Sequence, residues 1–125
     1  MAINRMEIGV AGVTFEGRQA ALAALHCAQE SGQQLAGSIR REPGNAYDPN
    51  AVQVLVEGTP VGYVPRTLAA TIAPRLDSGE AAQVTGVRII RGDHDRRTVF
   101  GARIDVAFAL TDKEAVSCPQ QQRLL

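Results

Sequence analysis

In the stretch "REPGNAYDPNAV", Arg41 to Val52, a tyrosine and an aspartate stand side by side among turn-forming residues. Pro43, Gly44, Pro49 and Asn50 account for a change of chain direction. Tyr47 and Asp48 add something that turning does not need. An aromatic ring offers a flat π face. An ionised carboxylate only accepts hydrogen bonds, so it suits hydroxyl and N–H donors. It is also a poor neighbour for an anion, because like charges repel. Asp48 before Pro49 is equally an ordinary turn opener. The segment is therefore a turn in any case, and these residues alone leave open whether it is also a site.

Catalytic chemistry finds little else to work with. "GVAGVTFEG" has glycines but neither the Lys-Ser/Thr step nor the helix start that a phosphate loop requires. Ser31, Ser38, Ser78 and Ser117 lack a G-x-S-x-G frame. His26 and Cys27 are adjacent and diverge on a helix, so they form no dyad. With His94 and Cys118 they make no metal-ligand spacing. Asp93 and Asp95 lie among arginines and read as solvated charge. The expectation is a protein that is not an enzyme, with no catalytic residue, metal or cofactor.

Composition narrows the class. The 125 residues suit one domain, and 45% hydrophobic with 21% charged residues suits a globular one. Thirteen basic residues balance thirteen acidic ones. A bulk electrostatic nucleic-acid binder is normally basic, so any such binding must rest on a local site. Lys113 is the sole lysine, and arginine suits phosphate and stacking contacts. An arginine-favouring genome explains that bias as well. From Gly86 to Arg103, five arginines against two aspartates leave a mild positive face, read as a solvated hairpin loop. "MAINRMEIGV" has no signal-peptide core, and no run reaches membrane-spanning length. A cytoplasmic, reducing compartment with Cys27 and Cys118 as free thiols follows.

The elements that must position the turn are short. "MEIGVAGVTFEG" reads as a first strand with glycines at a bend or close approach. "RQAALAALHCAQESG" is a helix with Leu22 and Leu25 on one face and Gly32 as its stop. "QQLAGSIRRE" is a strand. "AVQVLVEG" buries Val52, Val54 and Val56, with Ala51, Gln53 and Leu55 on its other face. "VGYVP" is a short strand ended by Pro65. "RTLAATIAPRLDSGE" is a helix through Leu68, Ile72 and Leu76, which Pro74 should break or kink near its end. "AAQVTGVRII" is a strand, "GDHDRR" a polar loop. "TVFGARIDVAFAL" puts Phe100, Ala102, Ile104, Val106, Phe108 and Leu110 on one face. The sum is a mainly β, α+β chain: about six antiparallel strands closing as a small barrel, with two inserted helices. The expected division is a lead-in with the start of the first strand at 1–8, the domain at 9–110 and a frayed polar tail at 111–125.

Four elements in order, "VAGVTFEGRQ", "REPGNAYDPNAV", "VGYVPRTLA" and "APRLDSG", resemble the HIRAN domain. That module occurs at the N-terminus of certain SWI/SNF-type DNA-repair translocases and as a standalone bacterial and phage protein. The resemblance runs from about Gly9 to Phe108. The R-x-P-x-N-x-Y-D-x-N-A frame together with the later V-G-Y/H is its most specific part. The helix between the first two strands looks like the standalone branch. The resemblance implies an OB-like barrel that binds DNA, especially the free 3′-hydroxyl end of a single strand, with a helicase, translocase or repair protein as a further partner.

It also implies site residues. Asn45, Tyr47 and Asp48 match the end-binding loop, and Phe15 the aromatic after the first strand. Tyr63 stands at the V-G-Y/H position, with Arg66 at the basic position after it. Thr14 stands where the animal repair proteins have arginine, so that phosphate contact would pass to Arg18 or Arg66. Phe100 matches a further aromatic. In such a site Tyr47 and Phe15 would stack on bases, which tolerates any sequence. Asp48 and Asn45 would take the terminal hydroxyl, and Asp48 would repel a 3′-phosphate. Tyr63 and Phe15 would fit a core equally well, and the Arg66 stem could simply cover an apolar helix face. A protein-interaction module, using the helix from Gln19 to Glu30 or the tail, is the alternative.

Overall fold

A computed structural model describes residues 3–15, 17–94 and 96–109. Leu110, Cys118 and the tail from Thr111 lie outside the described residues. Eight elements follow in order: β1 (Ile3–Gly9), α1 (Arg18–Glu30), β2 (Gly37–Arg41), β3 (Val52–Val56), β4 (Thr59–Tyr63), α2 (Arg66–Asp77), β5 (Ala82–His94) and β6 (Arg97–Ala109). The six strands form two three-stranded antiparallel sheets, ordered β1-β6-β5 and β2-β3-β4. This is a mainly β, OB-like α+β fold with two helices. Among the described residues no helix is long and apolar enough to cross a membrane.

The core forms where period-two patterning from both sheets meets. Ala102, Ile104, Val106 and Phe108 of β6 are buried, as their alternation requires. Ile8 pairs with Ile104 across the β1–β6 ladder and is fully buried. From the other sheet Val52, Val54, Val56 and Val61 meet them, with Leu22 of α1 and Ile72 of α2. Arg75 lays its guanidinium 4.2 Å from the Phe108 ring centroid and closes the α2 side.

Three local features differ from the sequence reading. First, β3 is not open on its second face: Gln53 is buried as well. As the central strand of its sheet, β3 is covered there by Arg40, whose guanidinium donates to the Gln53 Oε1. Second, Pro74 does not end α2, which continues to Asp77. Proline this late removes only one N–H donor. The last turn still closes through Ser78 N–H to the Pro74 carbonyl at 3.0 Å. Third, "GDHDRR" is not a loop. β5 runs to His94 and β6 starts at Arg97, these two residues pair across the strands, and Arg96 has φ 65°, while Asp95 lies outside the described residues. The first strand starts at Ile3 and ends at Gly9, whereas the sequence reading placed it over "MEIGVAGVTFEG".

Two glutamines fasten α1 to the β5–β6 ribbon. Gln29 accepts from Ile89 N–H at 2.8 Å and donates to its carbonyl at 2.9 Å. Gln19 does the same to Phe100, at 2.8 Å in both directions. Each carboxamide takes the place of a missing strand neighbour at a strand edge. Gln19 also donates to the Val13 carbonyl, so the loop before α1 is held against β6.

The two sheets touch where the site will lie. Ala11 and Tyr63 exchange backbone hydrogen bonds of 2.7 and 2.9 Å in an isolated antiparallel bridge. The approach is close because position 62 is glycine. An added Cβ there would run into the Ala11 carbonyl oxygen and stand 2.6 Å from Val10 Cγ1.

Candidate nucleic-acid interface

The loop between β2 and β3 is built by short side chains bonding their own backbone. Asn45 Oδ1 accepts from Tyr47 N–H at 2.8 Å and Asp48 N–H at 3.0 Å. Asp48 Oδ1 accepts from Asn50 N–H at 2.9 Å. Such Asx turns fix a loop without secondary structure. The base is closed by Glu42 N–H to the Ala51 carbonyl at 2.9 Å. Arg41 then ties this base to α2. It donates to the Ala51 carbonyl at 3.2 Å and grips the Asp77 carboxylate at 3.0 and 3.1 Å.

What the loop presents follows from that bonding. Tyr47 is 89% exposed, the most open large hydrophobic side chain among the described residues. Asp48 keeps its Oδ2 outside the turn, 3.8 Å from Arg66 Nε. Arg66, on the first turn of α2, also donates to the Tyr47 carbonyl at 3.0 Å. Its side chain remains mostly exposed. Asn45 is differently occupied: its oxygen serves two N–H groups and its amide donates to Glu42 Oε1 at 3.2 Å. The position is a builder of the loop, with one amide hydrogen left to offer.

The second half of the site comes from the turn before α1. Phe15 is 63% exposed, with exposed Thr14 beside it. Arg18 does not reach outward as a spare phosphate ligand. Its guanidinium carbon lies 5.8 Å from the Phe15 centroid and 5.4 Å from that of Tyr63, and its Nη1 donates to the Gly12 carbonyl. A cation flanked by two rings holds both in place. Tyr63 is half-buried, and its hydroxyl donates to Glu42 Oε1 at 2.9 Å. Phe100 lies with α1, its ring 5.3 Å from that of His26.

Contacts through Glu42 thus join most of the predicted residues in one chain, Phe15, Arg18, Tyr63, Glu42, Asn45, Tyr47 and Asp48, Arg66, with Thr14 and Phe100 outside it. Glu42 is the member that sequence reasoning missed. It receives Tyr63 and Asn45 together and so couples the two halves. Its spacing from Asn45, three residues within one turn, was a usable signal. Its link to Tyr63 was not visible. Two clefts lie elsewhere. One of about 340 Å³ is lined by Arg5, Glu7, Thr85 and Asp105, and one of about 520 Å³ by Gln29, Gln33, Gln34 and Arg88 among others. The network is an open surface, suited to stacking and end contacts. No group of three potential metal ligands occurs among the described residues.

The environment of Tyr63 can be tested by titration. Burial first, then the Glu42 hydrogen bond and charge, raise its pKa above the ordinary 10.0, and Arg18 opposes them. The folded protein therefore holds this proton more tightly than the unfolded chain. The resulting stability is complete below the unfolded value and is lost as pH rises through the folded one. In a Tyr47→Phe background Tyr63 is the one tyrosine left. Its tyrosinate absorbance should appear above the ordinary range, and Glu42→Gln should lower it part of the way, because burial remains. An unchanged titration in Glu42→Gln would refute the coupling.

Fold and surface together describe a small OB-like domain in which ordered turns carry exposed aromatic and guanidinium groups beside a largely buried carboxylate, Asp48. The chain belongs to the HIRAN family: the model of the HIRAN domain matches residues 30–108, more than half of its length. It is similar to the mouse helicase-like transcription factor, 45% identical over 51 residues, which is 40% of this chain and 5% of that protein. A SWI/SNF-related matrix-associated actin-dependent regulator of chromatin subfamily A member 3-like 1 protein of Arabidopsis thaliana is 45% identical over 49 residues, 38% of this chain and 5% of that protein. The chain thus matches only a small part of these relatives' length. No solved structure matches.

Proposed function

We propose that this protein is a nucleic-acid-binding module that recognises the 3′-hydroxyl end of single-stranded DNA. The observation that carries the reading is the pairing of a fully presented Tyr47 with a carboxylate oxygen, Asp48 Oδ2, that the turn does not use. A base stacked on Tyr47 or Phe15 contributes on the order of 1–3 kcal/mol whatever its identity. Within a DNA strand every 3′ oxygen is esterified. Only the terminus offers a hydroxyl proton, and Asp48 Oδ2 can accept it. Arg66, beside both residues, would hold the phosphate behind the end. HIRAN membership and the names of the relatives, a helicase-like factor and a chromatin regulator, support a DNA context. The same reading makes the chain a standalone-type HIRAN domain, with its functional unit at 9–110, acting beside a helicase, translocase or repair partner.

Binding to fluorescent single strands ending in 3′-hydroxyl or 3′-phosphate, and to a circular strand, tests this. The hydroxyl end should bind tightest. Equal affinity for the circle would remove end recognition, and no binding to any of them would favour a protein-interaction role.

A further inference from the structure

The β5–β6 ribbon carries a surface that the site above does not use. Directly opposed residues of an antiparallel pair share a face. On β5–β6 the face with Ile89, Ala102 and Phe100 packs inward or against α1. The other face carries Arg88 opposite Arg103, Ile90 opposite Gly101, Gly92 opposite Val99, and then Arg97. Arg88, Arg97 and Arg103 are exposed, and Ile90 and Val99 are each 36% exposed. The two glycines leave the middle of this face flat.

Its electrostatics are unbalanced. Like charges set directly opposite each other across strands are destabilising. Glu7 relieves Arg103, at 3.4 Å. Arg88 and Arg97 make no ion pair among the described residues. Asp105 and Glu7 lie at the β1 end of the face, so positive charge grows toward the hairpin tip. Arg91, by contrast, lies on the opposite face and is 3.7 Å from Asp93. The chain as a whole has no net charge, which makes this a local concentration.

The face is also continuous with the site. Arg103 lies over Gly9, its Nη1 3.6 Å from where a Cβ would stand. The chain runs from Gly9 directly into the Ala11–Tyr63 bridge and then to Phe15. Gln19 binds the carbonyls of Val13 and Phe100 together, fixing the Phe15 loop to the ribbon.

We propose that the outer face of the β5–β6 ribbon is a second nucleic-acid contact surface. Arg88, Arg97 and Arg103 take phosphates of the strand upstream of its 3′ terminus, while Ile90 and Val99 give its bases an apolar floor. This deepens the 3′-end reading and rests on it. Guanidinium matches phosphate geometry, and the charge asks for a polyanion rather than a single ion.

The test compares 3′-hydroxyl strands of roughly 4 and roughly 16 nucleotides, the span seen for OB-like folds. The wild-type protein should bind the longer strand more tightly. Arg88→Gln with Arg97→Gln, which leaves the Glu7–Arg103 pair intact, should remove at least about tenfold of that gain and lower the salt slope by about 1.4. The short strand should be unaffected. Arg91→Gln, on the opposite face, should change neither. No gain with length, or an equal loss for both strands, overturns the second surface. An equal effect of Arg91→Gln overturns its assignment to this face. If the short strand does not prefer hydroxyl over phosphate at its end, the end-reader itself fails, whatever the ribbon does.

Discussion

Gly62→Ala is expected to destabilise the protein by about 3 kcal/mol. The methyl group would be aimed at a backbone carbonyl, that of Ala11, with Val10 Cγ1 at 2.6 Å on its other side. A side-chain tip can rotate away, but a carbonyl fixed in a bridge cannot. Relief requires breaking the pair of hydrogen bonds between Ala11 and Tyr63. Those bonds join the two sheets and set Phe15 and Arg18 beside Tyr63. The substitution should therefore also weaken oligonucleotide binding under conditions where the variant is still folded. Gly101→Ala is the matched control, since an added Cβ there meets nothing within 4 Å. It should shift stability by less than about 0.5 kcal/mol. Urea unfolding of both variants decides the matter. Equal stability of the two would show that the sheets do not depend on this approach.

The same position shows what a sequence can and cannot reveal. Gly62 could be read as structural, but its partner Ala11 is too distant in the chain to be inferred. The alternation of Ala102, Ile104, Val106 and Phe108 was legible, because one buried face imposes a period of two. The turn at Asn45 to Asn50 was legible too, since its bonds run between near neighbours. The tip of the long ribbon was not. Beyond Ile89 and Ala102 it is wet on much of both faces, so no apolar period marks Gly92 to His94 as strand. The family resemblance offers Arg18, beside Arg66, as a stand-in for the arginine that Thr14 replaces. Only the fold places two rings around Arg18. Glu42 escaped notice for a related reason: its tyrosine partner arrives from β4. Contacts made within one turn were readable, and contacts that join elements were not.

Asp48→Asn should abolish most of the discrimination between 3′-hydroxyl and 3′-phosphate ends while leaving the loop intact. Asparagine keeps an oxygen for the Asn50 N–H, so the turn that Asp48 Oδ1 supports should persist. What disappears is the charge. Near a protein surface, two unit charges about 4 Å apart repel by up to about 4 kcal/mol. Arg66, 3.8 Å from Oδ2, offsets part of that for an incoming phosphate. A remaining difference of about 1.4 kcal/mol corresponds to tenfold in affinity, so the preference for hydroxyl should fall by about tenfold or more. The phosphate-ended strand should gain affinity, which a merely damaged protein would not show. Tyr47→Ala is the contrast. It removes a stacking face that every end uses alike, so all strands should weaken by about 1–3 kcal/mol with their ranking unchanged. Should Asp48→Asn instead weaken all ends equally, the carboxylate would be a turn residue only. Recognition of the terminal oxygen would then have to lie elsewhere on the surface.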